Sequence, residues 1–65
     1  MAALTEFGKQ IKVALVEKGK TQKWLIEQVA EKTGLYFDRA YVYRISTGQN
    51  NNPKMVEAIR EVLNL

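Results

Sequence analysis

The sequence predicts an all-α fold, one compact domain of four helices with a short connection between the second and the third. Three observations predict it. Apolar residues recur at helical spacing in four separate segments. Each segment opens on a residue type that caps helix N-termini: Thr5, Thr21, Asp38 and Asn52. The first three close on a glycine, at Gly19, Gly34 and Gly48. The expected helices span about residues 5–18, 21–33, 38–47 and 52–64.

In the first helix, Phe7, Ile11, Ala14 and Leu15 fall at i, i+4, i+7 and i+8 and make one apolar stripe. Glu6 in its first turn and Lys18 in its last complement the helix dipole. Lys9, Lys12, Lys18 and Lys20 are left as a wet face, with Lys20 close enough to the second helix to reach a phosphate. In that second helix Leu25, Ile26 and Val29 form the buried face and Ala30 extends it. Trp24 is expected to be half-buried at the edge of the core. Leu35, Tyr36 and Phe37 make an apolar connection, and at least one ring should lie on the core as a lid. Tyr36, Phe37 and Tyr41 are expected to pack rather than to stack on bases.

The third helix has only Val42 and Ile45 at core spacing, so Arg39, Ala40, Tyr43, Arg44 and Thr47 face elsewhere. Tyr41-Val42-Tyr43 is β-prone in isolation, but it lies between a helix cap and a glycine stop. The fourth helix places Pro53 directly after its Asn52 cap, at the position where a missing N–H costs nothing. Met55, Val56, Ile59, Val62 and Leu63 make its apolar stripe.

Composition removes several function classes. The 65 residues form a single domain, 1–65. A chain of this size buries only ~60% of its unfolded surface. Hydrophobic residues are 46% and charged residues 26%, the balance of a folded globule rather than a disordered tail. There is no cysteine, hence no disulfide and no thiolate zinc site. There is no histidine, which takes away the commonest metal ligand and general base together. Asp38 is engaged as a cap, and Glu6, Glu17, Glu27, Glu31, Glu57 and Glu61 read as helix-face charges. Neither catalysis nor a metal, cofactor or small-molecule substrate is expected. No apolar run approaches the ~20 residues of a membrane span, and the first residues carry no signal-peptide pattern. A cytoplasmic location without a membrane partner is the expectation.

The net charge is +3, and its distribution is more telling than its size. From Arg39 to Lys54 the chain carries Arg39, Arg44 and Lys54 and no acid. A short helix with two arginines, then a glycine and the amides Gln49 to Asn52, is poor material for a core and good material for touching a polyanion. Two helices joined by a short connection, the second brief and cationic, suggest a helix-turn-helix.

The residues that fill this frame resemble a known family. Thr21-Gln22, Leu25, Val29, Val42, Arg44-Ile45 and Gly48 look like the pattern of the phage repressor and Cro (Xre-like) DNA-binding domains, and the segments on either side fit that family's flanking helices. The resemblance covers nearly the whole chain and implies a lambda-repressor-like domain with a central helix-turn-helix. Ile26 stands where the family usually has a small residue, and Ser46 where it often has Glu. The span from Gln22 to Gly48 is about six residues longer than the family pattern, and a 3–4-residue turn places the extra length in the second helix, as Ala30 to Gly34.

An α-helix fits the major groove, and the first residues of a recognition helix lie nearest the bases. Arg39, Ala40, Tyr43 and Arg44 are accordingly the candidate base contacts. Arginine bonds guanine O6 and N7 together, alanine can meet a thymine methyl, and tyrosine reaches a base edge or a phosphate. Read alone, the two arginines would be ordinary solvated charges; the helix-turn-helix frame gives them this role. The resemblance makes Gln22 a clamp on the DNA backbone, with Lys23 beside it. Thr47, Gln49, Asn50, Asn51 and Lys54 are the further candidate phosphate contacts. The asparagine run also reads as a loop with easy left-handed turns.

The expected partner is a double-stranded DNA operator, and the expected function transcriptional regulation as a phage or mobile-element repressor or Cro-like switch. Such regulators usually bind as dimers. Either the C-terminal helix pairs two protomers through Leu63 and Leu65, or the chain binds as a monomer, or it is part of a longer protein. The alternative function is a protein-interaction module, an antirepressor, antitoxin-like partner or adaptor on the same fold.

Overall fold

Each helix begins at the capping residue expected of it. The structure, a computed structural model, describes residues 3–65; Met1 and Ala2, part of the expected 1–65 domain, lie outside the described residues. Four helices follow one another, α1 (Glu6–Lys18), α2 (Gln22–Thr33), α3 (Arg39–Ser46) and α4 (Pro53–Leu63), with no strand among the described residues. The fold is therefore all-α, a small four-helix domain. Tyr41-Val42-Tyr43 is helical because capping and burial outweigh its local β-preference.

The caps are real hydrogen bonds. Thr5 Oγ1 accepts from the Gly8 N–H (3.1 Å), Thr21 Oγ1 from Trp24 (3.1 Å), Asp38 Oδ1 from Tyr41 (2.8 Å) and Asn52 Oδ1 from Lys54 (3.0 Å). Each satisfies one of the N–H groups that a helix start leaves unpaired. At the end of α1, Gly19 turns left-handed (φ 64°) so that its N–H reaches Val16 O and that of Lys20 reaches Leu15 O. This is the Schellman arrangement. Gly34 (φ 69°) ends α2 just after Thr33.

The core forms where α2 lies along α4 while α1 packs on both α3 and α4. Leu25, Val29, Met55 and Ile59 are completely buried at its centre. Ile11, Ala14, Phe37, Val42, Ile45, Ala58 and Leu63 complete it, and Phe7, Leu15, Trp24, Ile26, Ala30, Tyr41 and Val62 pack around its edge. The radius of gyration, 10.6 Å, equals the roughly 10.7 Å of a well-packed domain of this length. No helix among the described residues is long and apolar enough to cross a membrane.

Three expectations change. Tyr36 does not pack: it is 79% exposed, and Phe37 alone forms the lid, its ring 5.0 Å from that of Tyr41. The connection is too short for neighbouring rings to face the core together. Leu63 is 2% exposed and belongs to the core of its own chain, so it is not free to pair two protomers, whereas Leu65 remains outside. Ala58, outside the expected stripe of α4, is buried against the other helices.

One contact fixes α1 to the end of α3. The Thr5 N–H and hydroxyl both donate to Ser46 O, at 2.9 and 3.1 Å. Gly8 lies directly beneath, and a Cβ built on it would stand 2.2 Å from that same oxygen. Only glycine allows the two backbones this close. Ser46, itself buried, faces this junction and not the solvent.

Candidate nucleic-acid interface

The face of α3 that avoids the core is the face that carries the basic and polar side chains. Val42, Ile45 and Ser46 are buried; Arg39, Ala40, Tyr43 and Arg44 are all exposed. At about 100° per residue these four occupy one arc of roughly 140°. The four candidate base contacts are thus brought together on one convex surface.

The start of this helix is tightly tied. Besides capping Tyr41 N–H, Asp38 accepts at Oδ2 from the Tyr36 hydroxyl (3.0 Å). The Tyr41 N–H above all, then the Tyr36 hydroxyl, hold the Asp38 carboxyl below the usual aspartate range; burial opposes them, and the Arg44 charge adds a smaller lowering effect. The same hydrogen bond and the negative charge of Asp38 push the Tyr36 phenol up. Asp38 is therefore an ionised cap and not a free acid on the arc. The Tyr36 link was legible only as two polar groups two residues apart, which is weak signal without the backbone path.

The exit of α3 is equally organised. Gly48 (φ 83°) turns the chain so that the Gln49 and Asn50 N–H groups both donate to Arg44 O, at 2.8 and 3.1 Å. Thr47 Oγ1 donates to Tyr43 O (2.9 Å) and accepts from Gln49 Nε2 (3.1 Å). Asn50 Oδ1 accepts from the Asn52 N–H (2.9 Å). Three of the candidate phosphate contacts, Thr47, Gln49 and Asn50, thus have local roles in shaping the loop. Asn51 is exposed.

The remaining candidates lie on two flanks. Half-buried Gln22 starts α2, with exposed Lys23 beside it. Gln22 lines a cleft shared with Lys12 and Lys20 and with Val42 and Ser46 of α3, so two lysines read as the wet face of the first helix stand near the start of α2. The Lys20 ammonium also sits 5.5 Å above the Trp24 ring. Lys54 lies at the other end of α2, in a groove with Lys32, Thr33, Glu57 and Glu61. The Lys32–Glu61 ion pair (3.0 Å) ties α2 to α4 there, an exposed contact of small energetic weight. The 12 residues of α2 span ~18 Å, so Gln22 and Lys54 are separate patches.

Gly8 was not singled out by the sequence pattern. Its signal was a glycine inside an apolar-periodic helix, which costs about 0.5–1 kcal/mol relative to alanine unless packing requires it. Among the described residues no cluster of acids is placed to hold a metal ion. Comparison with known protein families, with curated proteins and with solved structures gives no match for this chain.

Proposed function

We propose that the domain is a sequence-specific binder of double-stranded DNA that regulates transcription, with α3 seated in the major groove. The observation that carries this is the outward arc of α3: Arg39, Ala40, Tyr43 and Arg44 exposed together, with no acid from Arg39 to Lys54. A helix that buries one side and presents arginines on the other matches the donor needs of guanine edges. In this role Arg39 and Arg44 read bases, Ala40 meets a thymine methyl, and Tyr43 reaches a base edge or phosphate.

The flanks suit the phosphates. Gln22 and Lys23 stand at one end of α2 and Lys54 beside the other. The two groups lie beside opposite ends of α2, so they are placed to meet different phosphates. Thr47, Gln49, Asn50 and Asn51 bring the chain out of the groove, the first three while also holding the loop in shape. The resemblance to repressor and Cro-like domains points to the same role, that of a phage or mobile-element switch.

The test is binding to random-sequence duplex DNA followed by selection and measurement against salt. With two phosphates neutralised per protomer, by Lys23 and Lys54, the log–log slope should be about −2. The selected sites should share guanine-containing positions. A flat slope, or no binding at low salt, overturns the proposal and leaves the protein-interaction reading.

A further inference from the structure

Among the described residues, no other helix covers the outer face of α1. Val13 and Val16 stand there 55% and 75% exposed, and Leu65, 42% exposed, lines a shallow apolar groove with Val13 and Ala14. Lys9 and Glu17 lie on the same groove, one on either side of Val13 along the helix. They are four residues before and four residues after it, and of opposite sign.

That spacing is self-complementary under a two-fold axis. In an antiparallel pair of α1 helices crossing at Val13, Lys9 of each copy faces Glu17 of the other, and Val13 meets Val13. A parallel pair would set Lys9 on Lys9 and Glu17 on Glu17. Like charges at such positions disfavour the parallel pair. We infer that this face, α1 with Leu65, binds a second copy of the chain in an isologous, antiparallel contact.

The contact is small. α1 has 13 residues and a length of ~20 Å, so one helix pair falls short of the ~1,200 Å² of a stable interface. Association is therefore weak and concentration-dependent. It is distinct from the expected pairing through Leu63, which the core consumes. It does not depend on the DNA reading, because it is measured without DNA.

Sedimentation of the full chain at low salt tests it, with circular dichroism confirming that each variant is folded. The wild type should pass from monomer to dimer below roughly 1 mM. Lys9→Glu and Glu17→Lys should each weaken the dimer roughly tenfold, although they change the net charge in opposite directions. The Lys9→Glu/Glu17→Lys double variant should return to within about threefold of the wild type. A wild type that stays monomeric at ~1 mM overturns the inference. So does a dimer that either single reversal leaves unchanged, or one that the double variant fails to restore.

Discussion

α3 and α4 are both short helices with a polar cap at one end and a left-handed residue just past the other, yet they do opposite things. α4 gives Met55, Ala58, Ile59 and Leu63 to the core, and its removal would take away the main packing partner of α2. α3 gives Val42, Ile45 and Ser46 and leaves Arg39, Ala40, Tyr43 and Arg44 in water. With eight residues, α3 is too short to persist alone. It is held instead at its two ends, by the Asp38 cap with its Tyr36 tie, and by the Gly48 turn and the Thr5–Ser46 bonds. A helix fixed at its ends can change its outer side chains without changing the fold.

That contrast can be broken most severely from the side of α4. Ile59→Ala should cost about 2–5 kcal/mol, because it empties a completely buried site. A domain of this length has roughly 3–10 kcal/mol in all, so urea or thermal denaturation should find this variant largely unfolded. An Ile59→Ala protein that melts with the wild type would show α4 to be no more structural than α3.

Gly8→Ala strikes the anchor between α1 and α3. Its new methyl group would meet the Ser46 carbonyl, a backbone atom that cannot swing away, and a loss of about 1–3 kcal/mol in denaturation is expected. Helix propensity alone predicts a gain for the same substitution, so the sign of the change decides the matter.

Arg44→Ala sharpens the contrast from the other side. Stability should stay within about ±0.5 kcal/mol, while DNA affinity falls by about 1–3 kcal/mol and preference relaxes at one base pair. Parallel melting and binding titrations would show this split. A fall in stability without a fall in affinity would make Arg44 structural.

The smallest effect concerns acid. The native Asp38 carboxyl titrates below its usual range, so its contribution is fully present above the ordinary aspartate value and is lost as the pH falls through the lowered one. Asp38→Asn still caps the helix but does not titrate. Its stability should match the wild type more closely in acid than at neutral pH. An unchanged acid limb in this variant would leave the ionised cap without energetic weight.

Much of the comparison was readable before folding. The four caps, the three glycine stops and the spacing of Ile11, Leu25, Val29, Val42, Ile45 and Ile59 are local or periodic properties, and each landed as expected. The outward set on α3 followed by subtraction, since what is not at core spacing must face away. Gly8, Tyr36 and Ala58 did not follow. Each depends on a neighbour distant in sequence or on a backbone path through a short connection, and neither is encoded in spacing.

By itself, then, the sequence determined which segments are helices and which side of each is apolar, because capping and period act within a few residues. Only the tertiary structure decided which apolar residues are left over. Leu63 is consumed by the core while Val13, Val16 and Leu65 are not, because burial depends on where α2, α3 and α4 already fill the space. It also decided that α1 meets α3 backbone to backbone at Ser46, since that distance is set by the packing of two helices whose contact residues lie 38 positions apart, from Gly8 to Ser46.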